Sequence, residues 1–214
     1  SNSIENAQQQ LEGNNFERRK NVLNYDDVMN QQRTIIYNQR REVLDGMDLR
    51  DRIKSMIDTT IEETVASFTG EESPADWNYD GLRTYFYGLL CGDNDFRYTS
   101  EEAANVTREG LIEELKARAE KVYASKEQMF GDQMREVERV LLLRNVDTKW
   151  MDHLDAMEDL KSSINLQAYA QRNPINEYRI AGADLFDEMV ASIREDTVRA
   201  VLSVIPAKPI QREE

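Results

Sequence analysis

Between residues 14 and 45 the chain carries neither glycine nor proline, and its apolar residues fall at Val22, Tyr25, Met29, Ile36 and Val43. These are steps of three and four, or their sums, which is the spacing of one helix face with a heptad flavour. Gln32 and Gln39 stand at the missing positions of that seam, so the seam is partly polar. A helix over this window is about 48 Å long at a rise of about 1.5 Å per residue. That is longer than a small domain covers, which predicts a spine ended by Asp45-Gly46.

The pattern then changes. Leu49, Ile53, Ile57, Ile61, Val65 and Phe68 line one face of a second helix, broken by Thr69-Gly70-Glu71-Glu72-Ser73-Pro74. From there to about Asn105 no period holds, and aromatic and aliphatic mass gathers around Trp77, Tyr79, Tyr85, Phe86, Tyr87, Leu89 and Leu90. Thr99 followed by Glu102 reads as a capping box opening a short helix. A helix from about Arg108 to Phe130 follows, carrying Leu111, Leu115, Val122 and Met129, with Gly131 at its end.

From Asp132 to Asn173 glycine and proline are absent again, and Met134, Val137, Leu141, Leu154, Met157, Leu160 and Ile164 keep a helical rhythm. After Pro174 a new helix runs to about Val204 with Tyr178, Leu185, Phe186, Met189, Ile193 and Val201. Pro174 suits a first helical turn, where its missing N–H is not needed. Glu177 places a negative charge at the same end of the dipole. A short connection favours antiparallel pairing of the two helices. No segment alternates as a strand does, and no internal repeat is visible. The expected fold is all-α: a long scaffold helix, a small helical lobe and a projecting antiparallel two-helix finger.

Composition narrows the classes of function. The net charge is -14, with 32% charged residues, which argues against a nucleic-acid partner. Arg18-Arg19-Lys20 and Arg40-Arg41 read as solvated helix faces. One cysteine, Cys91, allows no intrachain disulfide, and one histidine, His153, allows no four-ligand zinc site of the usual kind. No signal peptide is visible, and the longest aliphatic run, Val140 to Leu143, is far short of the ~20 residues a bilayer needs.

Catalytic chemistry finds little support. The sequence holds no GxxxxGK[ST] loop, no GxGxxG and no Cys-His pair at useful spacing. His153, beside Trp150 and Leu154, reads as a packed or half-exposed side chain. Asp26 and Asp27 are adjacent on a helix and point about 100° apart, so they do not converge on one proton or metal. Asp152, Asp155, Glu158 and Asp159 read as a solvated face near Lys149 and Lys161. The chain is therefore read as an interaction architecture rather than as an enzyme.

Two stretches carry a family likeness. FERRKNVLNYDDVMNQQRTIIYNQRREVL, residues 16 to 44, resembles the long scaffold helix of SecA, the ATP-driven motor of bacterial protein export. LLLRNVDTKWMDHLDAMEDLKSSINLQAYAQRNPINEYRIAGADLFDEM, residues 141 to 189, resembles its two-helix finger and the helix that follows. The lobe between them resembles the helical wing domain in position and character.

The resemblance implies a C-terminal piece of a longer chain. Residues 1–68 would be the scaffold helix and its successor, 69–130 the wing-like lobe, 131–205 the finger and return helix, and 206–214 a tail. ATP and magnesium would be bound by motor domains outside this chain, which would itself need no cofactor. The implied partners are the nucleotide-binding motor domains, the SecY channel complex and unfolded preproteins. The implied location is the cytoplasm, held peripherally at the membrane through the translocon.

In the family the finger enters the mouth of the channel, and a fingertip tyrosine touches the moving preprotein. Tyr169 falls on that position, within Leu166, Gln167, Ala168, Tyr169, Ala170, Gln171 and Arg172. A tyrosine between small residues offers apolar area and a hydroxyl at little entropic cost. The alternative is that Tyr169 packs back on the hairpin. The usual family tip reads leucine, arginine, glycine, tyrosine, with an aspartate before the proline. Gln167, Ala168 and Asn173 replace the second, third and last of these, and Ser162-Ser163 replaces a usual Gln-Gly.

On the scaffold helix Tyr25, Asp26, Asp27, Arg33, Arg40 and Arg41 match the family and are expected to couple to the motor, whose basal ATP turnover the finger region restrains. Apolar surface left on an isolated piece predicts a homodimer. A free-standing helical adaptor stands as the alternative reading.

Overall fold

A computed structural model describes residues 2–46, 48–70, 73–167 and 173–206. Among these residues there are seven α-helices: α1 Asn2–Leu44, α2 Arg50–Phe68, α3 Tyr79–Tyr85, α4 Ser100–Ala103, α5 Arg108–Phe130, α6 Met134–Gln167 and α7 Pro174–Ser203. One-turn 3-10 helices occur at Pro74–Asp76 and Gly131–Gln133, and no strand forms among the described residues. The chain is all-α, as its periodicity predicts.

Helix ends fall where local chemistry places them. Gly46 follows α1 at φ +94°, a conformation that a Cβ would strain. Thr99 and Glu102 form the expected capping box: the Thr99 hydroxyl accepts from the Glu102 N–H, and the Glu102 carboxylate accepts from the Thr99 N–H at 2.8 Å. Pro174 opens α7, and the Asn173 carbonyl accepts the Glu177 N–H at 3.2 Å.

The chain divides into two compact units, Ser1–Asp45 with Val146–Ser192, and Gly46–Asn145 with Ile193–Glu214. The division falls inside α6 and inside α7.

In the second unit α2 buries Ile53, Ile57, Ile61 and Val65, with Leu49 just before it. It packs mainly on α5, which buries Leu111, Leu115, Ala119 and Tyr123. These are i, i+4 rows on both helices, the ridges that interlock in helix packing. The apolar spacing of α5 predicts Val122 and Met129 on this face instead. Met129 is exposed, and Ala119 and Tyr123 continue the buried row in its place.

Glu138 in the first turns of α6 is fully buried, a placement no apolar pattern reveals. Its Oε1 accepts from the Tyr123 hydroxyl. Arg135 Nη1 lies 2.8 Å from Oε2, out of line for a hydrogen bond, so that oxygen has a charge contact only. Burial raises the Glu138 carboxyl above the usual carboxylate range despite that charge. The C-terminal turns of α7 join this unit through Arg194 on Glu63 and through Arg199, whose guanidinium lies 5.5 Å from the Tyr85 ring centroid.

Candidate functional site

In the first unit three helices meet: α1, the C-terminal part of α6 and the N-terminal part of α7. Their contacts fix the direction of each. Along α1, Tyr25, Gln32 and Arg40 meet Asn165, His153 and Asp147 in turn, so α6 runs antiparallel to α1. Tyr25 and Gln32 meet Tyr178 and Gly182, so α7 runs parallel to α1. Met157 at Gly182 and His153 at Phe186 make α6 and α7 antiparallel.

The apolar centre of this unit is Tyr25, Val28, Met157, Ile164 and Tyr178, flanked by Met29, Leu160, Ile175 and Leu185. The Tyr25 and Tyr178 rings meet edge to face, 4.7 Å between centroids and 76° between planes. The Tyr25 hydroxyl donates to Asn165 Oδ1 at 3.4 Å, and the Lys161 ammonium lies 5.5 Å from its ring centroid. Burial raises the Tyr25 hydroxyl above its ordinary value and pushes that of Tyr178 up to about 12. Neither tyrosine ionises near neutral pH.

A polar chain crosses the unit one level along. Gln32 and His153 are both buried, 7% and 4% exposed. The Gln32 amide nitrogen donates to the Gly182 carbonyl at 2.9 Å, which leaves its oxygen as an acceptor. His153 Nε2 lies 2.7 Å from that oxygen and must therefore donate, which fixes the neutral tautomer with its proton on Nε2. Trp150 and Phe186 flank the imidazole at 5.6 and 5.8 Å. Burial lowers the His153 pKa below 6.5.

The scaffold-helix residues singled out by sequence separate into two kinds. Tyr25 is a core residue. Asp26, Asp27, Arg33 and Arg41 are exposed. Arg33 bonds its own helix neighbour, with Nη1 donating to Asn30 Oδ1 at 3.0 Å, rather than an acid such as Asp26. Arg40 is half exposed and grips Asp147 with two donors, Nε at 2.9 Å and Nη2 at 3.3 Å, a bidentate pair that raises its pKa further. Arg41 reaches Asp45, in the turn just past the end of α1, at 3.7 Å. Periodicity places Val22 and Gln39 in the seam, yet both are exposed, while Gln32 is buried.

At the far end of α6, Leu166 is 81% exposed. The side chain of Gln167 and residues Ala168, Tyr169, Ala170, Gln171 and Arg172 lie outside the described residues. The residues sequence reading underrates are Gln32, His153 and Gly182. Their signal is a glutamine on an apolar stripe and a lone histidine on a helix face.

Among the described residues no helix is long and apolar enough to cross a membrane. Nor does any group of three or more His, Cys, Asp or Glu side chains among them sit where it could hold a metal ion.

Comparison with known proteins agrees with this architecture. The family model for the SecA wing and scaffold domain matches residues 1–205. The protein translocase subunit SecA of Alkaliphilus oremlandii is 43% identical over 215 residues, covering 100% of this chain and 24% of the relative. That of Caldicellulosiruptor saccharolyticus is 44% identical over 203 residues, covering 94% and 24%. That of Desulforudis audaxviator is 44% identical over 220 residues, covering 100% and 24%. The chain thus spans about a quarter of the length of these relatives. A helical architecture, with no strand among the described residues, and a likeness that runs the length of the chain make this protein a member of the SecA wing and scaffold family.

Proposed function

We propose that this chain is the C-terminal scaffold, wing and finger portion of a protein-translocating ATPase. In this reading residues 1–68 are the scaffold helix and its successor, 69–130 the wing lobe, 131–205 the two-helix finger with its return helix, and 206–214 a tail. ATP and magnesium belong to motor domains outside the chain. The chain itself carries motion from those domains to a preprotein in a SecY-type channel, and it restrains ATP turnover until both are engaged. Its place is the cytoplasmic face of the membrane, held there by the channel.

The observation that carries this reading is the fastening of α1 to α6 at three successive levels, Asn165 to Tyr25, His153 to Gln32 and Asp147 to Arg40. A helix held at several points along its length passes a displacement on instead of absorbing it. Asp26, Asp27, Arg33 and Arg41, all exposed on α1, supply the polar surface that meets the motor domains. Leu166, Gln167, Ala168, Tyr169, Ala170, Gln171 and Arg172 supply the surface that meets channel and preprotein. Tyr25 acts from within, by holding α1 on the other two helices.

The test is reconstitution in trans. A SecA-family motor core ending just before the matched segment is assayed for ATP turnover with increasing amounts of this chain. Saturable suppression that weakens when residues 164–175 are replaced by a short glycine linker supports the restraint. A rate that does not respond to the chain refutes it.

A further inference from the structure

We propose that Gln32, His153 and the Gly182 carbonyl form a register latch, which fixes α1 at one axial position on the α6–α7 pair. The inference concerns only how the three helices of this unit are held, and stands whether or not the chain serves a motor.

The remaining contacts of the seam tolerate sliding. Val28, Ile36, Met157 and Ile164 are buried and apolar, and apolar contact has no directional demand. A shift of α1 by one turn, about 5.4 Å, exchanges one apolar neighbour for another along most of its length. Arg40 on Asp147 and the Tyr25 hydroxyl on Asn165 are the other directional contacts, but the Tyr25 bond is long, 3.4 Å to an exposed Asn165, and Arg40 and Asp147 are substantially exposed, 40% and 54%. A long, half-solvated guanidinium can follow such a shift or exchange its partner for water.

The buried chain of hydrogen bonds cannot. One turn in either direction sets Val28 or Ile36 opposite His153, and neither offers an acceptor for the Nε2 proton. The Gln32 amide would then lose the Gly182 carbonyl, which it reaches at 2.9 Å in the observed register. Each displaced register therefore buries polar groups without partners. Gly182 lies against α6: a Cβ built there would lie 2.7 Å from Met157 Cε, the movable end of that side chain. A lone buried polar position that specifies register is the best-attested role for such a group.

The test reads position rather than stability. Spin labels at Gln39→Cys and Asp159→Cys, in a Cys91→Ser chain, report the axial offset of α1 against α6. The latched chain gives one narrow distance distribution. Replacing both partners, Gln32→Leu with His153→Leu, removes the polar demand while keeping apolar bulk. It is expected to add a second distance population displaced by several ångströms, with helix content retained by circular dichroism. A single unshifted distance in that folded variant overturns the proposal. His153→Gln keeps a donor for the Gln32 oxygen and is expected to keep the single distance. A second population there overturns the proposal too, and this holds even if the double-leucine variant does not fold. Arg40→Ala should leave the distribution unchanged, and a shift there would move the register role to the ion pair.

Discussion

His153 is the clearest case of a side chain whose surroundings set its chemistry. Its hydrogen bond is satisfied by Gln32 and its ring is covered by Trp150 and Phe186, so the neutral form fits and the charged form does not. Burial places the folded pKa below the unfolded value of 6.5. The unfolded chain therefore takes up a proton at a pH where the folded chain does not. Stability from this residue is fully present above about pH 6.5 and falls as pH drops from there to the folded pKa. The loss is on the order of 1 kcal/mol per pH unit over that window. Urea midpoints at about pH 7.5 and about pH 5.5 should differ more in the natural chain than in His153→Gln. Parallel losses in the two proteins would show that carboxylates alone carry the acid response.

At the scale of elements, close approach decides what each helix tolerates. Gly81 in α3 faces a rigid ring: a Cβ there would lie 2.5 Å from Phe68 Cε1 and 2.8 Å from Cδ1. Gly182 in α7 faces the movable end of Met157, at 2.7 Å. Alanine should gain about 1 kcal/mol in intrinsic helix propensity at Gly182, inside α7, and less at Gly81 in the first turn of α3. Overpacking against an aromatic ring costs about 1–3 kcal/mol, whereas a methionine terminus can rotate away. Gly81→Ala is thus expected to lower the thermal midpoint, and Gly182→Ala to lower it less or leave it unchanged. The reverse order in a thermal melt would refute this reading.

The same scale shows where periodicity is a good guide. The α2 face from Leu49 to Val65 is legible in the sequence because a nearly unbroken four-residue step leaves no choice of face. The α5 face is not, because Ala119 and Tyr123 carry weak hydrophobic signals and earn their place only against α2. Glu138 is invisible to any such pattern, since its burial depends on a tyrosine hydroxyl and a guanidinium brought from elsewhere. The seam position of Gln32 is legible as an interruption of the stripe. Its partner His153 is 121 residues away, and only packing joins them.

At the scale of the molecule, charge dominates. With 27 basic against 41 acidic side chains, phosphate binding would work against the field of the whole chain. The chain is expected not to retard a DNA or RNA duplex even at about 50 mM salt, where electrostatic binding is strongest. A salt-sensitive shift would bring the basic clusters at Arg18-Arg19-Lys20 and Arg40-Arg41 into consideration. Arg40 is already engaged by Asp147, which leaves that pair less charge to offer.

The amino-acid sequence by itself determines that this protein is helical, where most helices begin and end, and which family it resembles. Those properties follow from local spacing, from capping residues and from the order of recognisable segments along one chain. Tertiary structure alone decides that Tyr25 is a core residue while Asp26 beside it is not, and that Gln39 is exposed while Gln32 is buried. It also pairs a lone histidine with one glutamine and one backbone carbonyl. These are matters of which helix lies opposite and at what height, and a face drawn for one helix has no coordinate for the next.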